Sequence, residues 1–455
     1  MAVSPGIFRQ YDIRGIVDRD LTPEVARFVG RAYAGYLADA GFSGTVAVGR
    51  DNRPSGDALR DALVGGLTEC GVDVVDIGIV PTPLLYWSLH HLGVVGGIQI
   101  TGSHNPPEYN GFKLSLGAGS LHGDEIQRLY AIGKAGRYPR GQGSVRNEDV
   151  VDRYVADVAR RIGRIPRAMH VIVDCGNGAG SVVAERLFER LGVRATYLFC
   201  ESDGTFPNHH PDPTVVENLQ ALIAEVRRGR YEFGVAFDGD ADRIGVIDSR
   251  GEVIWGDYLL ILYARDVLAR TGQGQPIIFD VKCSQALADA VRKAGGTPVM
   301  WKTGHSLIKG KLKELSAPIA GEMSGHMFFA ESFYGHDDAL YGAARLMRIV
   351  SESGTTIEDL LADVPRFVST PEIRIDCPDA LKFGIVDDAV RHFSARREVI
   401  GVDGARVLFG DGWGLIRASN TQPVLVARYE ASSAERLAEI RDEMESWLRS
   451  RGVST

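Results

Sequence analysis

The chain has 455 residues, 44% of them apolar, with 54 glycines and 19 prolines. That composition supplies sizeable cores and many tight turns, and it excludes a disordered chain or a coiled coil. Lys plus Arg number 51 against 59 Asp plus Glu, a formal charge of −8, which argues against a general nucleic-acid binder while leaving room for a local basic cluster facing an anionic ligand. No apolar run approaches the ~20 residues of a membrane span, and Tyr258 to Ala264 is far too short. The start carries Arg9, Asp12 and Arg14 and no apolar signal core, so a soluble cytoplasmic protein with no membrane or nucleic-acid partner is expected. The five cysteines are scattered without a Cys-x-x-Cys, which disfavours a disulfide framework or a zinc site.

Three stretches read alike. In the first, the strand Thr45 to Gly49 precedes a helix bearing Leu59, Leu63, Leu67 and Cys70 on one face. Gly71 stops the helix, the strand Val72 to Ile77 follows, and a further strand, Gly97 to Ile100, runs into the polar loop Thr101 to Pro106. In the second, His170 to Asp174 leads through Cys175 to Gly180 into a helix with Val183, Leu187, Phe188 and Leu191. Gly192, the strand Ala195 to Phe199 and the strand Gly234 to Phe237 follow, the last entering Asp238 to Arg243. In the third, Pro276 to Asp280 precedes a helix with Leu287, Ala290, Val291 and Ala294. Gly295-Gly296, Pro298 to Trp301 and Pro318 to Ala320 come next, ending in Gly321 to His326.

A β-branched run, a stripe of period 3.6, a Gly stop and a second run make a β-α-β unit. Three such units predict three similar α/β domains with mixed, largely parallel sheets. Parallel sheets place sites beyond the carboxyl ends of their strands, so three different loops would face one central cleft. From about Pro365 the pattern changes. Glu372 to Asp376 reads as a strand. Trp413 to Arg417 and Val424 to Tyr429 read as a hairpin around Ser419 to Pro423, and Leu437, Ile440, Met444 and Trp447 line a closing helix. The expected division is 1–149, 150–252, 253–365 and a C-terminal α+β domain over 366–455.

The loops carry the chemistry. Asp238, Asp240 and Asp242 share one face of an extended segment, and three clustered carboxylates call for a cation such as Mg²⁺ or Ca²⁺. An EF-hand fails, because its Gly and Glu positions hold Arg243 and Ser249. Three protein oxygens leave octahedral Mg²⁺ incomplete, and a phosphate is its usual further ligand. Ser103, in Thr101-Gly-Ser-His-Asn-Pro106, is a candidate phosphoryl carrier; the setting is not Gly-x-Ser-x-Gly. Arg417, Ser419, Asn420 and Thr421 suit a phosphate, and Glu322 with Ser324 suits sugar hydroxyls.

Together these residues resemble the α-D-phosphohexomutases, in order and over essentially the whole chain. Phe8 to Gly15 is similar to that family's opening, Thr101 to Lys113 to its phosphoserine loop and Asp238 to Arg243 to its metal loop. Gly321 to His326 is similar to its sugar loop and Arg417 to Pro423 to its phosphate loop. Phe206 to Pro213, Asp280 to Ser284 and Lys302 to Ser306 also fit. Met323 in the sugar loop resembles the bacterial phosphomannomutase/phosphoglucomutase branch. Ala241 departs from the pattern, standing where Gly is common.

The resemblance implies a phosphoserine enzyme converting hexose 1-phosphate and hexose 6-phosphate reversibly, for mannose, glucose or both. A bound hexose 1,6-bisphosphate, also an activator, would turn over in the cleft. Mg²⁺ would sit on Asp238, Asp240, Asp242 and the phosphorylated Ser103. Arg243 and Lys113 would stabilise the transferring group, and His104 would position its loop. Arg14, His326 and Lys113 are alternative proton-transfer groups. Tyr11, Lys282, His305, Glu322, Ser324, Arg417, Ser419, Asn420 and Thr421 would contact the ligand. Phosphoglucosamine mutase-like specificity, a metal-dependent sugar phosphatase and a non-catalytic sensor remain the rivals, and the oligomeric state, monomer or small homo-oligomer, stays open.

Overall fold

The computed structural model describes residues 3–420 and 422–455. Thr421 therefore lies outside the described residues. Three α/β units are followed by a unit with an antiparallel sheet. In each of the first three, a buried apolar strand lies between two parallel neighbours. These central strands are Val46–Arg50, His170–Asp174 and Pro276–Asp280. Near-continuous apolar runs such as Val171-Ile-Val173 suit strands covered on both faces. Gly71, Gly192 and Gly295 follow the unit helices with φ of 81°, 74° and 84°, the left-handed stop expected of them.

The third parallel strand of each unit turns back into an antiparallel partner. Gly96–Ile100 pairs with Tyr109–Leu116, Phe233–Phe237 with Ile244–Asp248, and Ile319–Gly321 with Met327–Phe329. The three polar loops singled out above are the turns of these three hairpins. The sheets are thus mixed, with the reversal placed at the site.

The fourth unit is a six-stranded sheet, antiparallel throughout, carrying the helices Asp379–Ser394 and Ala434–Ser450. Its expected hairpin is present as Gly412–Ala418 and Val424–Ala431. The second and third units share one apolar core, which also takes in Val75, Ile77 and Leu84 of the first, whereas the fourth keeps its own. It joins the third through a small apolar cluster of Val281 with Trp413 and Leu415 and through polar contacts: buried Arg406 donates to the carbonyls of Val281 and Cys283 at 2.6 and 2.7 Å, and Arg428 donates to that of Lys282. No helix among the described residues is long and apolar enough to cross a membrane.

Candidate active site

The phosphoserine-type loop is held from beneath by Arg53. Its guanidinium accepts nothing and donates five times: to Asp51 Oδ2 and to the carbonyls of Ser103, Asn105, Pro106 and Tyr109. Ser103 is buried and adopts φ of 51°, a conformation costly for a residue with a side chain. Its Oγ stands 3.2 Å from Asp238 Oδ2 and 3.2 Å from His104 Nδ1. Burial, aided by Arg243 and Arg14, pushes the His104 pKa well below its ordinary value.

The close approach of the two loops requires Gly239, because a Cβ there would meet the Ser103 carbonyl oxygen at 2.4 Å. Ala241 takes φ of 54° in the same turn, which explains why Gly is the commoner choice. The turn is stitched to its neighbours by main-chain bonds: Thr82 N to Asp240 O at 3.0 Å, Ala179 N to Gly239 O at 2.9 Å, and Ile244 N to Gly325 O at 3.1 Å.

Asp238, Asp240 and Asp242 are fully buried, with one oxygen from each within 4.8 Å of the others. Lys113 Nζ reaches Oδ2 of Asp240 at 2.6 Å and of Asp242 at 2.5 Å. The Oδ1 atoms of both lack a hydrogen-bond partner among the described residues. Burial and its two neighbours raise the Asp238 pKa well above the usual carboxylate range. For Asp242, burial is outweighed by Lys113 and the pKa is lowered; burial of Lys113 is likewise outweighed by Asp240 and Asp242, which raise its own. Hard, buried and partly unpartnered oxygens fit a divalent cation.

The sugar-type loop meets the metal-type loop through a second contact: Arg243 Nε donates to His326 Nε2 at 3.0 Å. Glu322 accepts from Gly304 N at 2.6 Å, which brings the His305 turn alongside; Ser324 is half-buried in the same loop. Tyr11 Oη donates to Thr303 O at 2.8 Å and accepts from Asn420 Nδ2 at 2.7 Å, joining the first, third and fourth units. Burial pushes its pKa up to about 12. In the phosphate-type loop, Arg417 Nε donates to Asp403 Oδ2 at 3.0 Å, and Ser419 Oγ accepts from Gln422 N at 3.2 Å. Lys282 pairs with Glu372 Oε2 at 3.1 Å. Arg14 is paired with Asp12 and donates to Asn105 Oδ1 at 2.9 Å.

Every described candidate thus lies on one of four loops that converge, or on an element bonded to them. The sequence marks none of Arg53, Asp337, Asp403 and Glu372 as a site residue, Glu372 reading only as the start of a strand. Each acts as a partner to a group it did name, and a partner found only through the fold leaves no local pattern.

Family models cover the chain in the same four pieces. Phosphoglucomutase/phosphomannomutase α/β/α domains I, II and III match residues 5–139, 152–251 and 255–367, and the C-terminal domain of that family matches 372–446. The chain belongs to the phosphoglucomutase/phosphomannomutase family. It is 46% identical over 442 residues to a phosphomannomutase/phosphoglucomutase of Pseudomonas putida, covering 97% of this chain and 95% of that one. A phosphoglucomutase of Neisseria gonorrhoeae is 44% identical, covering 99% and 98%. A crystal structure of a family protein from Burkholderia thailandensis superposes with a TM-score of 0.91 at 44% identity, over 99% of this chain and 98% of that one. The resemblance and the α/β fold class read from the sequence stand.

Proposed function

We propose that the chain interconverts hexose 1-phosphate and hexose 6-phosphate, of mannose, glucose or both, through a phosphorylated Ser103 and a bound hexose 1,6-bisphosphate. The observation that carries this is the approach of Ser103 Oγ to Asp238 beside a lysine-paired carboxylate cluster, within reach of two loops suited to sugar and phosphate. A divalent cation, Mg²⁺ by its hardness, would be held by Asp238, Asp240, Asp242 and phosphorylated Ser103, supplying charge neutralisation where phosphoryl transfer spreads negative charge.

The rest is done by the chain's own groups. A sugar hydroxyl attacks the phosphorus on Ser103. The new O–P bond forms as the Ser103 Oγ–P bond breaks, and the hydroxyl proton passes to His326. Lys113 and Arg14 are poor acceptors of that proton: Lys113 is held charged by two aspartates, and a guanidinium does not deprotonate. Arg417, Ser419 and Asn420, with Thr421 beside them in sequence, would hold the phosphate that is not in transfer, while Glu322 and Ser324 take sugar hydroxyls. Tyr11, Lys282 and His305 border the same ligand, and His104 and Arg14 steady the Ser103 loop. After transfer the bisphosphate reorients, and its other phosphate returns to Ser103. The phosphatase alternative fits less well, since Asp240 and Asp242 are engaged by Lys113 and Asp238 faces Ser103.

A coupled assay for mannose 1-phosphate to mannose 6-phosphate, run with and without Mg²⁺ and seeded with hexose bisphosphate, tests the reading. Intact mass should show a species heavier by one phosphoryl group, mapping to Ser103. Absence of turnover under all these conditions, or release of inorganic phosphate instead, would overturn it.

A further inference from the structure

We propose that Cys175 and Cys200 are a redox-modification site: a hydroperoxide joins them in a reversible disulfide that disturbs the loops of Asp238 and Ser103. The site stands apart from the reaction assigned above.

The five cysteines are free, and Cys200 Sγ lies 2.8 Å from Cys175 Sγ. The two residues follow the ends of neighbouring parallel strands, His170–Asp174 and Arg194–Leu198. The register sets Asp174 against Leu198, so Cys175 lies beside Phe199. In an extended chain Cys200 would face the side opposite to Phe199, and so away from Cys175. Phe199 instead takes φ of 50°, a left-handed conformation costly for a bulky residue, and this turns Cys200 back toward Cys175. Main-chain bonds hold the arrangement: Cys175 N donates to Leu198 O at 3.1 Å, and Asn177 N to Phe199 O at 2.7 Å. Cys70, Cys283 and Cys377 are buried, and Cys283 Sγ is turned to Asp280 Oδ1 at 3.0 Å.

The two thiols differ in reach. Cys200 is half-buried, whereas Cys175 is fully buried, and burial together with the hydrogen bond from Cys200 pushes its thiol well above the ordinary range. Cys200 therefore meets the oxidant first. Its sulfur attacks one oxygen of the hydroperoxide. The O–O bond breaks, a sulfenic acid forms, and the other oxygen leaves as water or an alcohol. Cys175 Sγ then attacks Cys200 Sγ. The S–S bond forms as the S–O bond breaks, and the departing hydroxide takes the Cys175 proton and leaves as water. In all, two thiols lose two electrons and two protons, and a dithiol reductant returns them.

Each sulfur sits at the root of a segment that supports the candidate site. Cys175 opens the turn that reaches Ala179, whose N–H is bonded to Gly239 O; a Cβ on Gly178 would meet that oxygen at 2.7 Å, so the turn has little room to slide. Cys200 opens the segment that runs to Pro213. Asn52 Nδ2 bridges both, donating to Asn177 O at 2.6 Å and to Ser202 Oγ at 3.0 Å. The Phe206 ring lies 5.0 Å from the guanidinium of Arg53, which carries the Ser103 loop. Drawing the sulfurs into a bond moves the ends of both strands, and with them the footing of both loops.

The test uses full-length protein, reduced, freed of reductant, exposed to hydrogen peroxide, alkylated with iodoacetamide and digested with trypsin without reduction. Residues 168–186 and 195–227 should appear as one cross-linked peptide, two hydrogens lighter than their sum, with the other three of the five thiols alkylated. The kcat for hexose phosphate should fall by at least ~10-fold, since a shift of ~1 Å at a reacting group costs about 10²-fold, and dithiothreitol should restore it. Cys200→Ser should give no cross-link and keep its kcat through the same treatment. Five alkylated thiols, a cross-link through another cysteine, or sulfinic acid on Cys200 in place of the cross-link would overturn the site. A cross-linked enzyme with unaltered kcat, or a Cys200→Ser enzyme inactivated like the parent, would overturn the coupling to the loops. Should the reduced enzyme show no turnover, the proposed reaction fails and amide exchange at Ala179 decides the coupling: it should be at least ~10-fold faster in the oxidised form, and equal rates overturn it. Should Cys200→Ser fail to fold, the parent decides, and a loss of kcat that dithiothreitol does not restore counts against the disulfide.

Discussion

Arg53→Lys isolates how much the Ser103 loop depends on one side chain. All five N–H donors of Arg53 are in use, at 3.1 Å to Asp51 and at 2.5–2.9 Å to four carbonyls between Ser103 and Tyr109. Lysine has three donors on a single nitrogen, so at least two of those five bonds are lost. A lost hydrogen bond, neutral or charge-assisted, costs about 1–3 kcal/mol, which puts the local penalty at about 2–6 kcal/mol. The charge is unchanged, so the cost falls on the geometry of residues 103–109 and not on the field at the site. Amide exchange across 101–111 should accelerate by at least ~30-fold, the lower end of that range. Displacing Ser103 by about 1 Å should lower kcat by about 10²-fold. Exchange rates matching the parent, together with kcat within twofold, would refute the claim that the guanidinium fork holds this loop.

Ser103→Ala should lose at least ~10⁴-fold in kcat while retaining binding of hexose phosphate by calorimetry; an active variant removes the phosphoserine step. Chelation should abolish turnover yet leave the melting temperature nearly unmoved, because Lys113 already pairs with both Asp240 and Asp242; a collapse of the fold on chelation would contradict this. Asp240→Asn should raise the Mg²⁺ concentration needed for half-maximal rate, and an unchanged titration would remove that ligand. Glu372 titrates at about 2 because Lys282 stands beside it, well below an ordinary glutamate. A depressed carboxyl stabilises above its unfolded pKa of about 4.3, and the gain is lost as pH falls toward 2. Glu372→Gln should therefore melt lower than the parent near pH 7, with the gap closing through this acid window; a gap independent of pH would show that the pair contributes nothing.

The repeated units were legible because their signals are local. An apolar run, a helical stripe and a Gly at φ near 80° recur three times, and each lies where the pattern put it. The antiparallel return strands were less visible, since Tyr109–Leu116 mixes Asn110, Lys113 and Ser115 with its apolar residues, and its polar side chains serve the site and not the core. The shared core of the second and third units was hidden for a related reason: apolar residues do not declare which neighbour they will cover. At the site, Ser103, the three aspartates and Glu322 announce themselves as clusters of unusual polarity after strands. Asp337 gives no such sign, because its neighbour Asp338 already accounts for a carboxylate ahead of a helix. Arg53 and Asp403 are single charges in turns, indistinguishable in the sequence from solvated ones.

The hairpin geometry common to the first three units has a bearing on how such a catalyst diversifies. Each reactive turn is clamped at both ends by paired strands, so its register is inherited from the sheet and not from the residues it displays. Rewriting a handful of positions in one turn alters chemistry or selectivity while the framework stays where it was. Three copies of one mould, each free to be inscribed differently, let the three turns be altered one at a time.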